Sequence, residues 1–308
     1  MEHQIIDIST EMFFGYSRLY LVGDYLIVET ETEVEPSIYK GIHLFDKYTF
    51  QYITSSAIIG RGPGEVVRLG KIGVNNKDLW ICDYGKKVRW KFPLDSVLKD
   101  DRYKPVVNLQ MHSELYMIKQ GFLNDSIAIG KAIHSIVSSS PVTAMAKLNI
   151  NTNVTERYGY EHPDITGRMT NSVFKLSPDN ELYINCYMYC DLMTICNLDG
   201  TLKYNIYGPN WKKYRPGEMA YFYGVDTYKN FIIVSYVGDK RIVLNEYQRQ
   251  EGNFPTKFQI FNTKGDYIKT LETGYKFSSF CVDEENERLI IYFDDRKNPL
   301  AYIPLNLD

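Results

Sequence analysis

An apolar strand, a turn built on Asn or Asp, and a second strand recur along this chain. The pattern is plain around Asp46-Lys47-Tyr48-Thr49, between Leu44-Phe45 and Tyr52-Ile53, and it returns in residues 146–154, 195–202 and 260–267. Asn and Asp close such turns by accepting from the backbone two and three residues on, so each copy reads as a hairpin. Successive copies sit at multiples of about 50 residues, except that the step from Asn197 to Asn262 is longer by roughly 15. The surplus falls in residues 238–255, the expected site of an insertion.

A polar turn followed by an alternating apolar strand precedes each hairpin: Asn76-Lys77-Asp78-Leu79-Trp80-Ile81, Asn124-Asp125-Ser126-Ile127-Ala128-Ile129, Asp179-Asn180-Glu181-Leu182-Tyr183-Ile184, and again in residues 228–233 and 285–291. Each repeat therefore carries four strands, and 308 residues hold about six repeats. Four-stranded units of that length arranged radially make an all-β, six-bladed β-propeller of antiparallel blades in a single domain. Approximate blades are 9–60, 66–110, 115–160, 168–210, 219–273 and 275–308. The last is one strand short, and the alternation Gln4-Ile5-Ile6-Asp7-Ile8 is expected to complete it, closing the ring.

Composition agrees. Hydrophobic residues make up 44% and charged residues 24%, enough for a sizeable core, and the excess of 26 Tyr and 15 Phe suits pleated strands. Lys and Arg number 35 against 38 Asp and Glu, a net charge of −3, which gives no sign of a nucleic-acid partner. The longest strongly apolar run, residues 231–237, is too short to span a bilayer as a helix. Met1-Glu2-His3-Gln4 lacks a basic segment leading into an apolar one, which leaves a cytoplasmic chain or one whose export signal has been removed. A monomer is expected.

Gly60-Arg61-Gly62-Pro63-Gly64-Glu65, placed between the outer strand of one blade and the inner strand of the next, resembles the loop of TolB-like or NHL-like bacterial six-bladed propellers. Those proteins are often exported lipoproteins or domains without assigned activity. The resemblance implies a binding or scaffold module, and implies export, without fixing a chemistry.

The segment Tyr214-Arg215-Pro216-Gly217-Glu218 echoes that loop three blades on, so Arg61 and Arg215 could flank one channel mouth. Against this stands the plainer reading, in which Pro and Gly fold the crossing and Arg pairs with Glu at the rim. The spans assigned to inner strands (13–19, 69–74, 117–120, 172–175, 221–225 and 277–282) contain no Asp or Glu. They do contain Arg18, Lys71, Lys119 and Lys175 with Tyr16, Tyr221 and Tyr223, and nearby loops add Arg68, Arg168, Lys212 and Lys213. A cationic and aromatic lining suits an anionic or glycan-like ligand. The expected ligand contacts are Arg61, Glu65, Arg68, Lys119, Lys175, Arg215, Glu218, Tyr221 and Tyr223; half of the strand residues would instead point into blade packing.

Cys186, Cys190 and Cys196 are not spaced as a zinc site, and with Cys82 and Cys281 they read as core thiols. His112 and His162, each beside a carboxylate in a connecting loop, read as solvated pairs. Trp80, Trp90 and Trp211 are expected to fill spaces between blades. No catalytic residue, metal or cofactor is implied, since acid–base work or a hard cation wants convergent carboxylates. The leading expectation is a non-enzymatic propeller that binds a small molecule, glycan or protein. The alternatives are a channel-centred hydrolase, lactonase or lyase, and a pure interaction scaffold.

Overall fold

The computed structural model describes residues 5–9, 15–30, 39–111, 114–134, 142–168, 170–212 and 217–307, with the His134 side chain left out. Six four-stranded antiparallel sheets follow one another along the chain. Their inner strands are Ser17–Val22, Leu69–Asn75, Leu115–Phe122, Ser172–Ser177, Met219–Tyr228 and Phe277–Asp283, for blades 1 to 6. Each blade then runs outward in chain order; in blade 5, for example, through Phe231–Lys240 and Lys257–Asn262 to Tyr267–Glu272. This is the six-bladed propeller that the repeat predicts.

The recurring Asn/Asp turns join the third and fourth strands, and their side chains make them. Asp46 Oδ1 accepts from the amides of Tyr48 and Thr49, Asn149 Oδ1 from those of Asn151 and Thr152, and Asn262 Oδ1 from those of Lys264 and Asp266. Gly200 and Gly265 end two of these turns at φ of +92° and +85°, where a Cβ is disfavoured. Blade 1 places Phe50 there instead, at +59°, and its ring stacks on Tyr302 of blade 6.

Ring closure follows expectation. Ile6 pairs with Tyr302 and Asp7 with Ala301, making residues 6–7 the outer strand of blade 6. Arg296 and Asn298 both bind the Asp7 carboxylate. The surplus in blade 5 is a small hairpin, Ile242–Leu244 with Gln250–Gly252, set between its second and third strands. A short helix in blade 2, Leu94–Lys99, was not expected; it buries Leu94 and Val97.

Because every blade packs on two neighbours, the middle strands are apolar on both faces, as in Leu182–Tyr187 and Arg288–Phe293, buried along their whole length. Part of the aromatic excess is spent here: Phe258 stacks on Phe277 at 4.4 Å between blades 5 and 6, and Trp80 meets Phe122 at 6.1 Å between blades 2 and 3. Trp90 is buried with the core of blades 1 and 2, whereas Trp211 packs on His162 and Tyr207 above blade 4.

Arg288 fastens blade 6 to blade 1. Its guanidinium lies over the Phe50 and Tyr302 rings at 4.5 and 5.1 Å, binds the buried Asp283 at 2.9 Å and donates to the Lys47 carbonyl. Arg288→Met would leave Asp283 buried without its cation, so the variant should lose about 3 kcal/mol in urea unfolding. A loss under about 1 kcal/mol would show that the seam holds without this clamp.

Candidate functional site

Inner strands enter from the face crossed by the outer-to-inner connections, and the cations expected in the channel lie on them. Each cation meets a different environment. In blade 1 the two-residue turn Gly23-Asp24 sets Arg18 opposite Glu29. The two form an ion pair, and the Tyr20 hydroxyl donates to the other Glu29 oxygen at 2.7 Å. Glu29 is 1% exposed. Burial pushes its carboxyl up, and the charges of Arg18 and then Lys71 pull it back. Arg18 also lies over the Tyr16 ring, at 5.5 Å.

Lys175 is committed elsewhere. The inner strand of blade 5 runs to Tyr228, beyond the span read from the sequence, and so includes Asp226, which binds the Lys175 ammonium at 2.5 Å and accepts from the Val282 amide at 3.0 Å. Burial alone would lower this ammonium; the charge and the hydrogen bond of Asp226, with the nearby Cys281 and Glu284, together more than offset it. The inner strand of blade 6 likewise ends on Asp283. The expectation of inner strands without acids therefore fails, because these strands extend one or more residues past their assigned ends, and Glu29 on a second strand adds a further buried acid.

Blade 3 differs. Lys119 on its inner strand pairs in register with Lys131 on its second strand, which sets both side chains on one face, toward blade 4. The Lys119 ammonium donates to the Ser172 carbonyl, and that of Lys131 lies 5.7 Å from the centre of the Tyr187 ring. Among the described residues neither has a carboxylate at ion-pair distance, and Lys131 is 2% exposed. Burial first, then the positive charges of Lys131 and Arg18, lowers Lys119 from 10.5 to about 8. Burial lowers Lys131 to about 8 as well, with the charge of Glu161 opposing the shift.

The loop singled out in the sequence is tied down by its own residues. Glu65 accepts from the Gly62 amide at 2.7 Å and binds Lys104 at 2.8 Å, and these contacts hold its carboxyl below the ordinary value. Lys86 caps the Gly62 and Glu65 carbonyls. A Cβ on Gly60 or Gly62 would meet the Glu65 carboxylate at 2.3 or 2.8 Å, so a side chain at either position would displace that carboxylate from its contacts. Arg61 stands exposed on this loop, Arg68 is exposed with its amide held by Asp83, and the backbone carbonyl of exposed Glu218 accepts from the Arg241 amide. Exposed Arg168 and Lys212 lie on connections of the same face, while Arg215, Lys213 and His112 lie outside the described residues. Tyr221 is wholly buried in the core shared by blades 4 and 5, and Tyr223 rests half-buried on Phe254.

His162 is buried, not solvated: its Nδ1 accepts from the Asp164 amide and its Nε2 bonds the Tyr207 hydroxyl at 3.0 Å. All five cysteines are free and buried, and burial pushes their thiols up, Cys190 to about 12. Among the described residues no three His, Cys, Asp or Glu side chains are grouped to hold a metal ion. No helix there is long and apolar enough to cross a membrane.

No protein-family model matches the chain, and no curated protein does. Solved structures do resemble it. A member of the DUF4221 family from Bacteroides vulgatus aligns over 99% of this chain and 96% of its own, with a TM-score of 0.69 and 12% identity. A luciferin-regenerating enzyme aligns over the same shares with a TM-score of 0.62 and 9% identity, and the WD40 repeats of RRP9 over 99% and 98% with 0.56 and 10%. At such identities the likeness shows the fold alone, a β-propeller.

The two lysines make stability depend on pH. Their folded values near 8 lie below the ordinary 10.5, so the folded state carries the full penalty below pH 8 and sheds it as pH rises to 10.5. Lys131→Met should therefore stabilise the unliganded protein at pH 7 by on the order of 3 kcal/mol, a gain that fades toward pH 10.5. Urea unfolding of variant and parent at both ends of that range checks it; a Met variant less stable at pH 7 would contradict the unpaired charge.

Proposed function

We propose that this chain is a binding propeller, non-enzymatic, whose channel takes a small anionic or acidic-glycan ligand among Arg18, Lys71, Lys119 and Lys131. The supporting observation is the neighbouring Lys119 and Lys131, one half-buried and one buried, with no described carboxylate at ion-pair distance from either. An anion supplies the missing charge, and charge-assisted bonds to oxyanions are among the stronger polar contacts a protein makes. Tyr16 and Tyr223 offer ring faces at the same end. Exposed Arg61 and Arg68 are assigned the lesser role of drawing anions to the crossing face, and Arg215 is given the same role from its place in the sequence. Glu65 and Glu218 shape their loops, Tyr221 packs, and Lys175 stays with Asp226. Kinship with TolB-like or NHL-like propellers, and the export that goes with it, belongs to this proposal too.

Thermal unfolding and calorimetry at pH 7 against phosphate, sulfate, citrate, sugar phosphates and oligogalacturonate provide the test. A ligand at a hundredfold excess over Kd should raise Tm by about 5 °C. Lys119→Gln should weaken that ligand roughly tenfold, the worth of one charge-assisted bond, and Arg61→Ala less than about twofold. If no anion moves the parent, or Lys119→Gln binds as well as the parent, the proposal fails.

A further inference from the structure

The seam between blades 3 and 4 changes character along its length. Away from the crossing face it is apolar, with Ile129 and Met145 of blade 3 against Leu176, Tyr183 and Cys196 of blade 4. Toward that face it turns polar. On the second strand of blade 4, Tyr183, Asn185 and Tyr187 alternate onto the side that meets blade 3, as the Lys131 ammonium over the Tyr187 ring confirms. Asn185 is 0% exposed, and neither its Oδ1 nor its Nδ2 has a hydrogen-bond partner. The buried Ser172 hydroxyl, in the row of Tyr187, has none either. Lys131 donates to no described residue, and Lys119, whose ammonium has three donors, places one on the Ser172 carbonyl.

Buried polar groups are nearly always paired, and an unmade bond at such depth is costly. A whole set left open on one face of one seam calls for a guest. The guest has to accept from two ammonium groups, an amide and a hydroxyl at once, so it is small, rich in oxygen and doubly charged.

We infer that the seam of blades 3 and 4 is a seat for a tetrahedral dianion, a phosphate or phosphoryl group, held by Lys119, Lys131, Asn185 and Ser172. The inference rests on the anion-binding reading above and names the chemistry and the place. Binding is coupled to pH because the dianion favours the protonated amines, whose charged and titratable neighbours are Arg18, Glu161, Tyr187 and Cys196.

Calorimetric titration with sulfate, inorganic phosphate and glycerol phosphate, from pH 7 to pH 9.5, tests it. Sulfate keeps its two charges throughout, so any change in its affinity reports on the protein. The parent should bind sulfate at least tenfold more weakly at pH 9.5 than at pH 7. Lys131→Met should bind at least tenfold more weakly than the parent at pH 7 and lose about half of the pH dependence, Lys119 keeping the rest. Asn185→Leu, which removes unpaired groups and so should fold, should bind about fivefold more weakly. Inorganic phosphate tighter than glycerol phosphate identifies a closed seat for the free ion; the reverse identifies a phosphoryl group on a larger molecule. Either outcome supports the seat. If the parent binds anions but both variants bind sulfate as it does, or sulfate affinity is flat in pH, the seat is overturned while the channel reading stands. If the parent binds no anion in any arm, both fall.

Discussion

Every blade of this ring has to bury both of its faces, and the remainder of the architecture answers to that requirement. A lone four-stranded sheet of this size has two apolar sides and water on each; six of them in a closed circle have none exposed. Closure is therefore the condition for any blade to be stable, and the pairing of Ile6 and Asp7 with Tyr302 and Ala301 is what completes it. The same requirement explains why Arg288 sits where it does. A cation deep in a seam between blades is tolerable when aromatic faces and a carboxylate surround it, and Phe50, Tyr302 and Asp283 do so. Phe50 accepts a left-handed backbone to take part.

Buried charge elsewhere is handled by the same rule, which makes blade 3 informative. Buried Glu29 has Arg18, buried Asp226 has Lys175, and buried Arg288 has Asp283; buried Arg89, in the seam of blades 2 and 3, at least donates to the Met117 carbonyl at 2.9 Å. Lys119 and Lys131 break the pattern side by side, in the blade whose own core is built largely from Ala and Met. Removing a charge from water without a partner destabilises the fold, and hydrophobic residues of similar size would serve packing better there. Two such departures on one face are hard to explain by packing and simple to explain by a ligand that supplies the opposite charge.

The fold was legible because its signals are local. Asn and Asp turns, two-residue hairpin loops and apolar alternation are each decided by a few neighbouring residues, and repetition reinforced them, down to the inserted hairpin of blade 5. The site was less legible, since it depends on register. Arg18 could be placed on an inner strand, but its partner Glu29 lies on the next strand; the Gly23-Asp24 turn carries that information, because a two-residue loop fixes the pairing of all residues before and after it. For Lys119 and Lys131 even this fails. A register shift between Met117 and Lys119 displaces the pairing, and the sequence around it carries no mark of the bulge. Asp226 was lost for a simpler reason, a strand that runs three residues beyond Val225.

The Gly60–Glu65 loop is a motif with its own reason in folding. Its glycines make room for the Glu65 carboxylate, and that carboxylate and two carbonyls bind lysines of blade 2. Such a loop fixes the path from one blade to the next, which every propeller needs. Unpaired buried groups are the better guide in this chain, because packing gives no reason to keep them. The Asn185 Nδ2 costs stability as long as it bonds nothing, and so does the Lys131 ammonium on the same seam; an oxyanion that accepts from both recovers in binding what the fold gives up.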